Sequence, residues 1–225
     1  ISEKPLRARV FYNALLNNLL VYFGYKHSVI VETTKDYTGE IHRGLAIYRR
    51  LKKENEAGFN RIVSEFEVSF VYHSLSIEGN PITLPDTLKI LKDEIIPANL
   101  RSIDVEEIKN YQQAMLQMTK DASERKSLNI QGILEYHRRA MAHKPEIAGK
   151  IRQIPVYIKG NPDFIVTKPE SILIELDMLF DTYNAFIKRK KVSTEEILKF
   201  AVYLHNEFQH IHPFEDGNSR TTRLI

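Results

Sequence analysis

Near its C-terminal end the 225-residue sequence reads His212-Pro213-Phe214-Glu215-Asp216-Gly217-Asn218-Ser219-Arg220-Thr221-Thr222-Arg223. His212 offers a base whose ordinary pKa lies near neutrality. Asp216 is a hard oxygen donor of the kind that holds a divalent cation bridging phosphates. Backbone amides from Gly217 to Arg220, at the start of a helix, can cradle an anion. Arg220 and Arg223, three residues apart, share a helix face and add charge-assisted contacts to phosphate oxygens. Taken singly, these are a structural histidine, an Asp-Gly turn and two surface arginines. In this order they suit phosphoryl or nucleotidyl transfer, where positioning and charge neutralisation carry most of the catalysis.

The elements that must position this loop are mostly helical. Leu6, Val10, Phe11, Leu15, Leu16, Leu19, Leu20 and Phe23 recur at three- and four-residue steps, which predicts a helix within Pro5 to Tyr25. The rest of the first fifty residues carries no clear period. A second helix is expected from about Phe59 to Ile77, with Ile62, Phe66, Phe70 and Ser74 on one side, stopping at Gly79-Asn80-Pro81. Leu84 to Ile95, Asp104 to Thr119 and Ile130 to Met141 read as three further helices, which favours an all-α fold. Between Gly149 and Val166, β-branched and aromatic residues flank a Gly160-Asn161-Pro162 turn, the pattern of a β-hairpin. Helical spacing returns over Pro169 to Arg189, with Leu173, Leu176, Leu179 and Phe180 as core positions, and over Thr194 to Phe208. Ser193 or Thr194 serves as cap, with Glu195 and Glu196 in the first turn. Pro213 then breaks the last helix and leaves His212 at the mouth of a loop.

Composition narrows the chemistry. Hydrophobic residues at 43% and charged residues at 27% describe a folded globular chain long enough for a sizeable core. The absence of cysteine excludes disulfides, a thiolate nucleophile and Cys-ligated zinc within this chain, and fits a reducing, cytoplasmic compartment. A net charge of +3 gives no basic footprint for nucleic acid; Lys188-Arg189-Lys190-Lys191 reads as a solvated helix end. No apolar run is long enough to span a membrane. A metallohydrolase built on His205, Glu207, His210 and His212 lacks the His-Glu-x-x-His spacing that zinc ligation needs.

The terminal segment resembles the motif of the Fic family, His-Pro-Phe-x-(Asp/Glu)-Gly-Asn-Gly-Arg-x-x-Arg, at every defined position but one. That resemblance implies an all-α Fic-type bundle with a β-hairpin flap beside the active site. It implies an adenylyltransferase that moves AMP from ATP onto a Ser, Thr or Tyr hydroxyl of a protein, this chain itself among the candidate targets. His212 would take the hydroxyl proton and Asp216 would hold Mg²⁺. Gly217, Asn218, Ser219, Arg220 and Arg223 would bind the nucleotide, and Phe214 would anchor the loop. The flap, through Ile154, Val156, Tyr157 and Ile158, would dock an extended segment of the target by strand addition. A homo-oligomer is compatible with the sequence.

A second resemblance lies upstream. Ser74-Leu75-Ser76-Ile77-Glu78-Gly79 looks like the family's inhibitory motif, Ser/Thr-x-x-x-Glu-Gly/Asn, so Ser74, Glu78 and Gly79 are expected to restrain the site by pairing Glu78 with Arg223. Some relatives with this glutamate also remove AMP, the carboxylate aligning a water, so the resemblance implies that Glu78 can act in both directions. The departure is Ser219, where the family has glycine, a residue that lets backbone approach phosphate closely. It leaves an alternative, a module that binds nucleotide and a partner without transfer, or transfers another nucleotide or phosphate. The resemblance divides the chain into an N-terminal helical segment, residues 1–55, of unassigned role, and a Fic domain over 56–225. That domain includes the inhibitory helix at about 59–79 and is expected to continue past Ile225.

Overall fold

In the computed structural model, residues 38–158 and 164–225 are described, and among them the secondary structure is helical throughout. The helix expected within Pro5 to Tyr25 and the hairpin tip at 159–163 lie outside the described residues. The helices are α1 (Thr38–Glu54), α2 (Glu56–Ile77), α3 (Leu84–Leu88), α4 (Ser102–Ser123), α5 (Ile130–Ala140), α6 (Ile172–Ile187), α7 (Thr194–Ile211) and α8 (Asn218–Thr222). The described residues fall into two compact units, one of 38–66 with 190–203, the other of 67–158, 164–189 and 204–225.

In the first unit, α1 occupies a stretch without a clear period. Its sequence is dense in charge, and Ile41 is its buried hydrophobe while Ile47 and Tyr48 stay exposed. Asn55 starts α2 by accepting the Gly58 N–H at 2.9 Å, and Tyr48 meets Phe59 edge to face at 5.0 Å. Ser193 and Glu196 form a reciprocal capping box at the start of α7, the serine hydroxyl accepting the Glu196 N–H and the carboxylate accepting the Ser193 N–H.

The second unit holds the core. Val105, Ile108, Tyr111, Ala114 and Met115 are buried on α4, which packs on α5, and α5 also meets α6 and α8. On α6 the buried row is Ile172, Leu176, Leu179 and Phe180; Leu173, expected in the core, is 52% exposed. A 3₁₀ turn at Pro169–Ser171 leads into the helix, and Ile172, its first residue, is fully buried. The C-terminal stretch of α2 buries Val68, Val71, Ser74 and Leu75.

Two terminations shape the approach to the site. After Ile77, Gly79 takes a left-handed φ of +94°. The Asn80 N–H donates to the Leu75 carbonyl at 3.0 Å and the Gly79 N–H to Ser76 at 3.1 Å, a Schellman closure that makes Glu78 the C-cap residue. The helix expected over Leu84 to Ile95 ends earlier. Thr83 and Asp86 cap its start, it widens into a π turn at Lys89–Asp93, and Glu94 turns left-handed. Ile95 and Ile96 are each 56% exposed, and Pro97 drives its predecessor toward extended backbone.

Candidate active site

α7 carries the chain to His212, and the left-handed backbone of His212, φ +49°, turns it into the loop. A non-glycine residue there stores strain, and a buried arginine holds the turn. Arg152 is 1% exposed. Its guanidinium donates to the carbonyls of His212 at 2.7 Å, Ile154 at 2.8 Å and Ile211 at 3.4 Å, and to that of Thr167. Its own N–H donates to the Pro213 carbonyl at 3.0 Å. The Thr167 N–H donates to the His210 carbonyl at 3.1 Å. One side chain therefore ties both flanks of the segment expected to form the flap to the turn that presents His212. Those flanks, 151–158 and 164–168, are without paired strands among the described residues. Tyr157 is 85% exposed and Ile154 54%, with Val156 and Ile158 half-buried.

His212 Nδ1 faces the Gln209 carbonyl at 3.3 Å. Donation to that carbonyl requires the proton on Nδ1 and leaves Nε2 with its lone pair. Burial pushes the imidazole pKa below its ordinary value and the Arg152 charge adds to this, against the opposing influence of the Gln209 carbonyl and, less strongly, Asp216. His212 is thus neutral at physiological pH, as a proton acceptor must be.

Phe214 is fully buried and stacks face to face on His137 with centroids 3.7 Å apart. Asn218 is 3% exposed and closes the loop on itself: its Oδ1 accepts the Phe214 N–H at 2.9 Å and its Nδ2 donates to the Phe214 carbonyl at 2.8 Å. The Asn218 amide is thereby engaged within the protein, and its backbone N–H is what it can offer an anion. His137 Nδ1 accepts the Gly149 N–H at 2.8 Å, so Nε2 carries the proton and donates to the Asp216 carbonyl at 2.9 Å. Burial lowers this imidazole to about 4, keeping it neutral. Gly217, φ +79°, fits where a Cβ would stand 2.7 Å from Met141 Sδ and 3.1 Å from His137 Nε2.

Asp216 and the two arginines each already have charged partners within the protein. Asp216 Oδ1 accepts from Arg220 at 2.9 Å and from the Gly217 N–H at 2.6 Å, and Oδ2 accepts from Lys144 Nζ at 2.6 Å. Burial alone would raise this carboxyl, but Lys144, Arg220 and the Gly217 amide more than offset it and hold it at about 2. The other edge of Arg220 faces Glu107 at 3.4 Å. Glu107 also accepts from Asn80 at 3.0 Å and lies 3.2 Å from His143 Nε2; these neighbours hold it at about 2. Arg223 donates to the Ser74 carbonyl at 2.9 Å and to Glu78 Oε1 at 2.8 Å. Ser74 in the last turn of α2 and Glu78 at its C-cap thus converge on one guanidinium. Gly79 supplies the turn that lets Glu78 end the helix facing it.

Ser219 lies within α8 and is not among the residues of positive φ, so the serine asks for no backbone angle reserved for glycine. His205 is lowered to about 4 by burial, with Arg223 adding to the effect. Among the described residues no three His, Cys, Asp or Glu side chains gather to share an ion, so His205, Glu207, His210 and His212 do not converge. Glu107, His137, Lys144 and Arg152 are the site residues absent from the sequence reading. A buried histidine on the apolar face of α5 is the one signal that could have suggested any of them.

Residues 127–225 match the Fic/DOC family. The chain is 34% identical over 197 residues to a protein named Protein adenylyltransferase Fic from Drosophila erecta, covering 87% of this chain and 36% of that protein. To its namesake from Drosophila grimshawi it is 29% identical over 228 residues, 100% of this chain and 43% of the other. It therefore spans well under half the length of these relatives. Among solved structures it resembles a Fic domain-containing signaling protein from Bacteroides thetaiotaomicron, with TM-score 0.74 at 25% identity over 82% of this chain and 70% of that one. It also resembles Fic-1 from C. elegans, with TM-score 0.62 at 25% identity, covering 83% and 56% respectively. Motif, loop geometry and likeness agree, and the chain carries a domain of the Fic/DOC family.

Proposed function

We propose that this chain is a protein adenylyltransferase that moves AMP from ATP onto a Ser, Thr or Tyr hydroxyl of a protein, with its resting site restrained by Glu78. The observation that carries the reading is His212, its Nδ1 facing the Gln209 carbonyl and its pKa lowered by burial, on the loop that leads into the helix bearing Arg220 and Arg223. The names of its relatives support it.

In this reading His212 Nε2 takes the proton of the target hydroxyl, whose oxygen attacks the α-phosphorus of ATP. The bond from that phosphorus to the bridging oxygen breaks, and pyrophosphate leaves with the electron pair. Arg220 meets the outer phosphates, and loop amides orient the α-phosphate. Arg223 would hold the γ-phosphate, but Glu78 occupies its guanidinium. Asp216 suits Mg²⁺: it is an ionised, half-exposed carboxylate that already faces a cation, and one protein carboxylate plus nucleotide oxygens is a usual magnesium donor set. Bound there, the metal would neutralise phosphate charge as pyrophosphate departs. The flanks of the expected flap, with Tyr157 and Ile154 exposed, would dock the target.

Transfer from α-labelled ATP tests this directly. Glu78→Gly is expected to raise self-labelling or target labelling well above wild type, and His212→Ala to abolish it. Nucleotide bound but never transferred by either form would favour a binding module instead. Parallel reactions with CTP, GTP and UTP test the nucleotide preference. Release of AMP from a modified target, lost in Glu78→Gly, tests the reverse role of Glu78. Cell fractionation of a tagged copy tests the cytoplasmic location that a cysteine-free chain suits.

A further inference from the structure

Asp216, the carboxylate assigned above to the metal, is already neutralised by two cations of the protein itself. They divide its oxygens between them. Arg220 and the Gly217 N–H hold Oδ1, and Lys144 Nζ sits 2.6 Å from Oδ2. Arg220 is fixed: its side chain is 5% exposed and braced on its other edge by Glu107. Lys144 differs. Its side chain is 41% exposed, so the ammonium can swing into water without leaving a buried charge unpaired. Its backbone stays in place, because the Lys144 N–H donates to the Met141 carbonyl at 2.8 Å and its carbonyl accepts from Ile147 and Ala148. A movable ammonium therefore occupies the one carboxylate oxygen that a metal could take without dismantling the loop.

We propose that Lys144 is an exchangeable internal counter-ion of Asp216, holding the carboxylate charge-balanced in the resting site and yielding Oδ2 when metal-nucleotide enters. The inference rests on the assignment of Asp216 to the metal. Two consequences follow from charge alone. While Lys144 holds Oδ2, the metal must displace it, so metal affinity is lower than the bare carboxylate would give. Once displaced, the ammonium remains beside an anionic nucleotide, so it favours nucleotide even without metal.

The test measures binding and not turnover. Mn²⁺ binding in the presence of a non-hydrolysable ATP analogue is followed by electron paramagnetic resonance, and binding of the same analogue in EDTA by calorimetry. Lys144→Met is expected to bind Mn²⁺ about three- to tenfold more tightly, the span between a solvent-screened ion pair and a charge-assisted one. The same variant is expected to bind metal-free nucleotide more weakly, while Lys144→Arg stays near wild type in both. Unchanged or weakened Mn²⁺ binding in Lys144→Met would overturn the proposal. Asp216→Ala separates the two assignments. Should Asp216→Ala leave Mn²⁺ affinity as in wild type, the metal role of Asp216 fails and the exchange fails with it. Should Asp216→Ala lose Mn²⁺ while Lys144→Met has no effect, the exchange alone fails. Thermal melts confirm that each variant is folded.

Discussion

The strained turn at His212 should depend on Arg152, and Arg152→Met tests how much. In the parent the guanidinium donates to four carbonyls, those of Ile154, Thr167, Ile211 and His212, from a side chain 1% exposed. Methionine fills similar volume and donates nothing. Each buried carbonyl left unpaired costs about 1–3 kcal/mol. Water entry and relaxation recover part of that, so the net loss is expected at about 3–5 kcal/mol, the usual range for a buried charged group removed from its partners. Urea titration reads this number.

A stability loss alone would not separate a catalytic prop from an ordinary core residue, so the pH profile matters. Burial and the Arg152 charge both keep the His212 pKa below its ordinary value, while the Gln209 carbonyl and Asp216 pull the other way. A base works only unprotonated, so the rate falls as pH drops through its pKa. Removing the Arg152 charge raises that pKa, and the acid limb of AMP transfer should move to higher pH in Arg152→Met. Arg152→Lys, which keeps the charge but fewer of the bonds, should lose stability with little movement of the limb. The assay is initial rate against pH in the Glu78→Gly background, with circular dichroism at each pH. A folded Arg152→Met protein whose acid limb coincides with the parent's would refute the reasoning.

Two further outcomes follow from the same geometry. Gly79→Ala places a Cβ at φ +94° where no neighbour crowds it, so the cost is conformational, about 1 kcal/mol; loosening the cap that holds Glu78 should raise labelling by a smaller factor than Glu78→Gly, measured side by side. His137 and His205 are both lowered to about 4 against 6.5 for the free side chain. The unfolded chain therefore takes up their protons first as pH falls, and stability should drop by up to about 1.4 kcal/mol per pH unit for each histidine between pH 6.5 and 4. Urea midpoints flat across that window would contradict the buried neutral state.

What could be read from the chain and what could not divide along one physical line. The loop from His212 to Arg223 is contiguous, so its groups, their order and the helix break at Pro213 are visible as text. Helices with an apolar row, such as α4 and α5, are visible for the same reason: a repeat of three and four residues is a local pattern. α1 was not, because its row is thin and its charges dense, and the π turn after Leu88 was not, because nothing in the order of residues distinguishes it from continued helix. The environment of the site was the least legible part. The partners of its charges come from far along the chain: Glu78 meets Arg223 across 145 residues, Glu107 meets Arg220 across 113, and Lys144 meets Asp216 across 72. Only the first had a motif to announce it. Under the proposed function, a nucleotide must compete at each of these three places with a charge the protein already supplies. On that reading the competition, more than the list of groups in the loop, would set how readily the site turns over, and for Glu107 and Lys144 it rests on residues that no local spacing singles out.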